Sequence, residues 1–211
     1  MDAFVKRSPE ERRIFFEGAA APLNLAPLMV EKDFWVCWTL KELFRLPVIG
    51  EHLIFKGDTS PSKVFPVIER FSEDVDVSID RGFLGFDGPN EPEAGASNNE
   101  KQRHIEALRT ACQQSIANGL HPALTAAIRS KLQSSETWSL RGDDEETDGQ
   151  TLLFEYPPSV PLDNQDRALL SKEEMDFPAE PMGMKAKCVR ETITTTKASA
   201  ETPGTHPSQI A

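Results

Sequence analysis

Asp74 and Asp76 stand two residues apart in Asp74-Val75-Asp76-Val77-Ser78-Ile79-Asp80, a run that alternates strictly between polar and apolar residues. On a β-strand successive side chains point to opposite faces, so residues i and i+2 share one. Two carboxylates so placed can hold one divalent cation, or two between them. Upstream lies a turn of small residues, Gly57-Asp58-Thr59-Ser60, with Lys56 before it and Lys63 after it. A glycine in such a turn lets backbone N–H groups approach phosphate. The lysines add positive charge suited to a triphosphate. This is equipment for metal-assisted phosphoryl or nucleotidyl transfer, with magnesium neutralising charge on the α-phosphate and the leaving pyrophosphate. The same Asp-x-Asp spacing also fits a solvated strand face that binds nothing.

Secondary-structure elements must position these residues. His52-Leu53-Ile54-Phe55-Lys56 reads as a buried strand running into the Gly57 turn. Ser60-Pro61 reads as a cap and first turn of a helix that Pro66 cuts short. In the alternating run, Val75, Val77 and Ile79 point one way, and Asp74, Asp76, Ser78 and Asp80 the other. Further upstream, Ser8-Pro9-Glu10-Glu11 predicts a helix start with a capping box, and Ile14, Phe15 and Phe16 are expected in the core. A second helix is expected over 27–46, with Val30, Phe34, Trp38 and Phe44 near one face, until Pro47 and Gly50 stop it. Residues 82–99 read as a loop. Residues 99–117 read as a helix with Ile105, Leu108, Cys112 and Ile116 on one stripe. Residues 137–140 and 151–156 are expected to pair as strands around the acidic turn 142–149. Residues 179–211 hold no Phe, Trp or Tyr and few large aliphatics, so they cannot offset their chain entropy by burial. No strand is expected between Val160 and Ala211.

Three stretches carry a resemblance. They are Val30-Glu31-Lys32-Asp33-Phe34-Trp35, Phe55-Lys56-Gly57-Asp58-Thr59-Ser60-Pro61-Ser62-Lys63 and Ile68-Glu69-Arg70-Phe71-Ser72-Glu73-Asp74-Val75-Asp76-Val77-Ser78. They resemble the AbiEii/AbiGii-type nucleotidyltransferase toxins of the polymerase-β-like nucleotidyltransferase superfamily, whose pattern runs EKD, FKGGTSLSK, IERFSEDIDL. Order and spacing agree. The likeness is strongest over 30–80 and weaker to Tyr156.

The resemblance implies an α/β (α+β) fold with a small mixed sheet, flanking helices and a C-terminal helical region that is incomplete here. It implies a nucleotidyltransferase core over 1–160, and composition marks 161–211 as a low-complexity, disordered tail. Gly57, Asp58, Thr59 and Ser60, with Lys63, would form the triphosphate loop. Asp74 and Asp76 would be the catalytic carboxylates and bind Mg2+. An acceptor hydroxyl, on tRNA or another RNA, would attack the α-phosphate of a nucleoside triphosphate and release pyrophosphate. The system implied is toxin–antitoxin or abortive infection, so a cognate antitoxin is an expected partner. Glu31, Lys32, Asp33, Lys56, Arg70, Ser72 and Glu73 belong to the matched motifs without an assigned step. The plain reading of Glu31, Lys32 and Asp33 is charged, exposed helix positions.

The chain also departs from the pattern. Asp58 replaces the second glycine and sets a negative side chain beside the triphosphate. Pro61 replaces a leucine, which a first helical turn tolerates. The family continues with a strand bearing a third carboxylate, for which Glu155 is the stand-in. The threonine-rich tail reads like out-of-frame sequence, so a family member truncated by a frameshift is expected. A second reading follows: a catalytically dead fragment that binds antitoxin or nucleotide only. A third is a kinase-like phosphotransferase with a diverged loop.

Composition bounds the remaining classes. With 211 residues, 38% hydrophobic and 27% charged, the chain suits one globular domain with a tail. A formal net charge of −11 excludes the broad basic surface of a non-specific nucleic-acid or membrane binder. It leaves room for a local basic face at Arg103, Arg109, Arg129 and Lys131. Cys37, Cys112 and Cys188 form no CxxC, which argues against a disulfide framework or a cysteine zinc site and for reduced thiols in a cytoplasm. The apolar stretch 19–30 is broken by Pro22, Asn24 and Pro27 and is too short to span a bilayer. No signal-peptide run opens the chain, so a cytoplasmic location without a membrane partner is expected. The four histidines lack ligand spacing, and Asp143-Asp144-Glu145-Glu146 reads as a solvated turn.

Overall fold

The computed structural model describes residues 1–56, 75–132, 137–143, 149–161 and 182–188, with backbone alone for Lys56 and 182–188. Helix α1 (Pro9–Ala20) starts as its sequence predicts. The Ser8 hydroxyl accepts the Glu11 N–H at 3.2 Å, and the Glu11 carboxylate accepts the Ser8 N–H at 3.0 Å. Of Ile14, Phe15 and Phe16, only Phe16 is buried; Ile14 and Phe15 are more than half exposed. Consecutive helical residues are turned by about 100° from one another, so three in a row cannot share one face. Phe15 instead packs under the Arg7 guanidinium, 4.9 Å from its ring centre.

Helix α2 (Pro27–Leu43) ends three residues earlier than expected. Its buried side chains include Leu28, Glu31, Trp35, Val36, Trp38 and Leu43, while Phe44 lies beyond its end and is exposed. Of the expected stripe Val30, Phe34, Trp38 and Phe44, Trp38 is fully buried, Val30 and Phe34 are half-buried, and Phe44 is exposed. Phe34 packs with Phe4 and Phe16, and Trp35 and Trp38 turn toward the sheet residue Phe154. After α2 the chain folds back tightly. A Cβ at Gly50 would lie 3.0 Å from the Leu43 carbonyl oxygen, so a side chain there crowds the turn.

Helix α3 (Asn98–Ser115) runs through one π-helical turn (Ile116–Leu120) into α4 (His121–Arg129), an element with no assignment from sequence. Leu108, Cys112, Ile116, Leu120, Leu124 and Ile128 are buried along this path, and Ile105 is half-buried. The region 82–99 is irregular, as expected, apart from two short 3₁₀ turns and the start of α3.

Among the described residues five strands form one mixed sheet: β1 (Leu53–Lys56), β2 (Val75–Ile79), β3 (Ser139–Gly142), β4 (Thr151–Glu155) and β5 (Met182–Cys188), in the order β1-β2-β5-β4-β3. β2 and β5 are parallel and the other neighbours antiparallel. The β3/β4 hairpin appears where it is expected. β5 does not: the sequence predicts no strand after Val160, and this is corrected. Met182-Gly183-Met184-Lys185-Ala186-Lys187-Cys188 is poor in β-branched and aromatic residues. Its strand is decided by the unpaired edges of β2 and β4, which offer backbone partners on both sides.

Leu53, Phe55, Val75, Val77, Ile79, Leu140, Leu152 and Phe154 share one face of the sheet and join one core with Trp35, Trp38, Leu124 and Ile128. The fold is thus α+β, a small mixed sheet with helices packed on its apolar face, as expected. Among the described residues no helix is long and apolar enough to cross a membrane.

Candidate functional site

Asp76 lies on β2, the second strand of the sheet, and is half-buried. The alternation predicted for this run is present: Val75, Val77 and Ile79 are at most 2% exposed on the core side. Ser78 shares the face of Asp76 and is buried at 3% rather than solvated. Antiparallel pairing sets Lys56 opposite Asp76. The chain therefore leaves β1 beside Asp76 and rejoins β2 at the same end of the sheet. Across β2, Asp76 pairs with Lys185 of β5, which in turn pairs with Thr151 of β4. One cross-strand row thus reads Lys56, Asp76, Lys185, Thr151.

Gly57, Asp58, Thr59, Ser60, Lys63, Arg70, Ser72, Glu73 and Asp74 lie outside the described residues. So does the short helix expected after Ser60. Glu155 does not join the row. It sits on β4, beyond β5, four residues from Thr151 and about 13 Å along the strand. Its carboxylate is engaged by the Ser139 hydroxyl at 2.7 Å and lies 3.7 Å from Arg141. β5, the strand between them, carries no Asp or Glu.

The Glu31-Lys32-Asp33 motif divides. Glu31, expected on an exposed helix face, is fully buried. Its carboxylate accepts the backbone N–H of Ser159 at 2.7 Å and of Val160 at 3.0 Å. Arg12, also fully buried, donates to the Val5 carbonyl at 3.1 Å, the Pro157 carbonyl at 3.4 Å and the Ser159 hydroxyl at 3.0 Å. Burial pushes the Glu31 carboxyl above its ordinary range, against the two backbone donors and the nearby Arg12 charge. Glu31 thus ties α2 to the segment after β4. No periodicity distinguishes such a residue from a surface glutamate, because its partners are backbone groups far along the chain. Lys32 and Asp33 are half-buried, and Asp33 accepts a weak contact from the Cys37 thiol at 3.9 Å.

The other singled-out groups have structural partners. His52 stacks on Phe83 at 4.3 Å, the His104 ring meets the Glu91 carbonyl and the His121 ring the Leu140 carbonyl; His206 lies outside the described residues. Lys131 bonds Asp2 and Glu42 and Arg109 pairs with Glu106, which removes two of the four cations from a basic face. Among the described residues no three His, Cys, Asp or Glu side chains could hold a metal ion together. Asp76, a hard carboxylate half-buried on the polar face, suits magnesium chemically.

Comparison with known families completes the assignment. The family model of the nucleotidyl transferase AbiEii toxin, type IV TA system, matches residues 38–184. No curated protein and no solved structure matches the chain. The matched span covers well over half the chain, from within α2 through β1, β2 and the β3/β4 hairpin into β5. The chain belongs to the AbiEii nucleotidyltransferase toxin family.

Proposed function

We propose that this chain transfers a nucleotide from a magnesium-bound nucleoside triphosphate to an acceptor hydroxyl on RNA, tRNA above all. The observation that carries the reading is the place of Asp76. It lies on the polar face of β2, opposite Lys56, where the chain continues into the Gly57–Lys63 motif. Asp74 and Asp76 would hold the ion, which supplies charge neutralisation on the α-phosphate and the leaving pyrophosphate. Backbone N–H groups of the Gly57 turn, with Ser60 and Lys63, bind the triphosphate. Lys56 adds positive charge beside it. Asp58 acts against binding by like charge. A toxin of such a system works in the cytoplasm against an antitoxin, and reduced Cys37 and Cys112 suit that compartment.

The second reading, a catalytically dead fragment that binds nucleotide or antitoxin only, draws support from Asp58 and from the absence of a carboxylate on β5 beside Asp76. One titration separates the two. Thermal shift is measured with each magnesium–nucleoside triphosphate, for the parent and for Asp74→Asn/Asp76→Asn. A ligand at 100 times its dissociation constant stabilises by about 2.7 kcal/mol. A shift that vanishes in the double variant, followed by transfer of α-phosphate label to RNA, supports the enzyme. A shift without transfer supports the binding fragment. Transfer of γ-label alone would mean a kinase-like phosphotransferase. A cooperative melt with no shift overturns the triphosphate site.

A further inference from the structure

β5 holds the sheet together. Among the described residues β1/β2 and β3/β4 are two antiparallel pairs that meet through it, since β5 pairs with β2 over Val75↔Met184 to Ile79↔Cys188 and with β4 over Thr151↔Lys185 to Phe154↔Met182. The first residue of β5 therefore pairs with Phe154, one residue before β4 ends. Immediately after that end the chain passes through a strap, 157–160, that the N-terminal helices grip. Glu31 takes the N–H groups of Ser159 and Val160; Arg12 takes the Pro157 carbonyl and the Ser159 hydroxyl. Val160 packs with Phe16 and Leu28. Trp35, one turn after Glu31, stacks on Tyr156 at 5.4 Å and meets Phe154 edge-on at 6.2 Å.

We propose that Glu31 and Arg12 form a latch that keeps β5 seated beside the Asp76 strand, by fixing the strap and through it the end of β4. The proposal stands apart from the catalytic reading above and needs no activity to be tested. A buried carboxylate and a buried guanidinium are tolerable only with their hydrogen bonds made, and here the strap supplies most of them. Releasing the strap leaves both groups short of partners, so it comes away as a unit rather than one bond at a time. The coupling runs through β4, whose end adjoins the strap. Once the strap lifts, the Trp35–Tyr156 stack opens and the Phe154↔Met182 pair frays first.

Hydrogen exchange read by mass spectrometry on the full chain tests this, with Glu31→Gln as the principal variant. Ser159→Ala, which removes the hydroxyl that accepts from Arg12 and bonds Glu31 but keeps both backbone donors to Glu31, is the milder one. The expected result is exchange at least tenfold faster at Ser159 and Val160 in Glu31→Gln, together with 182–188 and the end of β4, while α4 keeps its protection. Ser159→Ala should give the same order with a smaller acceleration, and it decides the matter if Glu31→Gln does not fold. A faster strap with unchanged 182–188 overturns the latch. So does equal acceleration in every segment, which would mean that the two charges contribute only general stability, and so does no change at all.

Discussion

At the scale of the residue, two carboxylates respond to pH in opposite directions. Asp2 bonds Lys41 and Lys131 and lies 3.7 Å from Arg45. Hydrogen bonds from the two lysines hold its carboxyl far below its ordinary value near 3.8. Its contribution to stability is complete above that ordinary value and is lost as pH falls toward the folded one. Asp2→Asn should therefore lower stability at neutral pH and flatten the acid limb of a urea-midpoint profile below about pH 4. Glu31 has the opposite sign. Burial raises it above its ordinary 4.5, so the folded state holds its proton longer. Its contribution is present below that value and is lost as pH rises through the folded one, and Glu31→Gln should remove this loss. Lys131 is drawn down by desolvation, but hydrogen bonds to Glu42 and Asp2 outweigh this and raise it. Arg12→Ala takes the buried donor away from the Val5 and Pro157 carbonyls and the Ser159 hydroxyl. Leaving a buried group unsatisfied costs about 1–3 kcal/mol, and urea unfolding of the variant should read a loss of at least that order.

At the scale of the element, the helix start is local chemistry and is legible as such. The capping box of α1 depends on Ser8 and Glu11 alone, and both bonds are present. Ser8→Ala should cost about 1 kcal/mol, visible as a lower denaturant midpoint with an unchanged slope. The strand β2 is equally legible, because strict alternation over five residues admits one register of faces. The face of α2 is less so. That helix is apolar on more than one side, since it meets both the Phe4/Phe16 cluster and the sheet. Trp38, fully buried against Phe154, lies on the sheet side. Trp38→Ala should cost about 3–5 kcal/mol, and Phe44→Ala much less because Phe44 is exposed; calorimetry on the pair checks the assignment of faces.

At the scale of the whole molecule, the sheet is closed by its last strand, and that strand carries little strand-forming sequence. Among the described strands β1 and β3 are the edges. Ile54 stands half exposed on the β1 edge, on the face away from the core. Ile54→Lys should change stability by less than about 0.5 kcal/mol while reducing self-association, since a charge on an edge strand opposes edge-to-edge pairing. Light scattering against concentration would show it.

The local and periodic features were determined by sequence alone: the α1 cap, the alternation around Asp76, the β3/β4 hairpin and the motif pattern that places the chain among the AbiEii toxins. Each depends on residues within a few positions of one another, where propensity and spacing act directly. Tertiary structure decided what involves distant partners. It turned Glu31 inward, because backbone donors at Ser159 and Val160 arrive from far along the chain. It paired Asp76 with both Lys56 and Lys185, and it set Glu155 on β4 four residues along from that row. It made a strand of Met182–Cys188, whose own residues argue against one, because two open sheet edges leave backbone groups that must be paired.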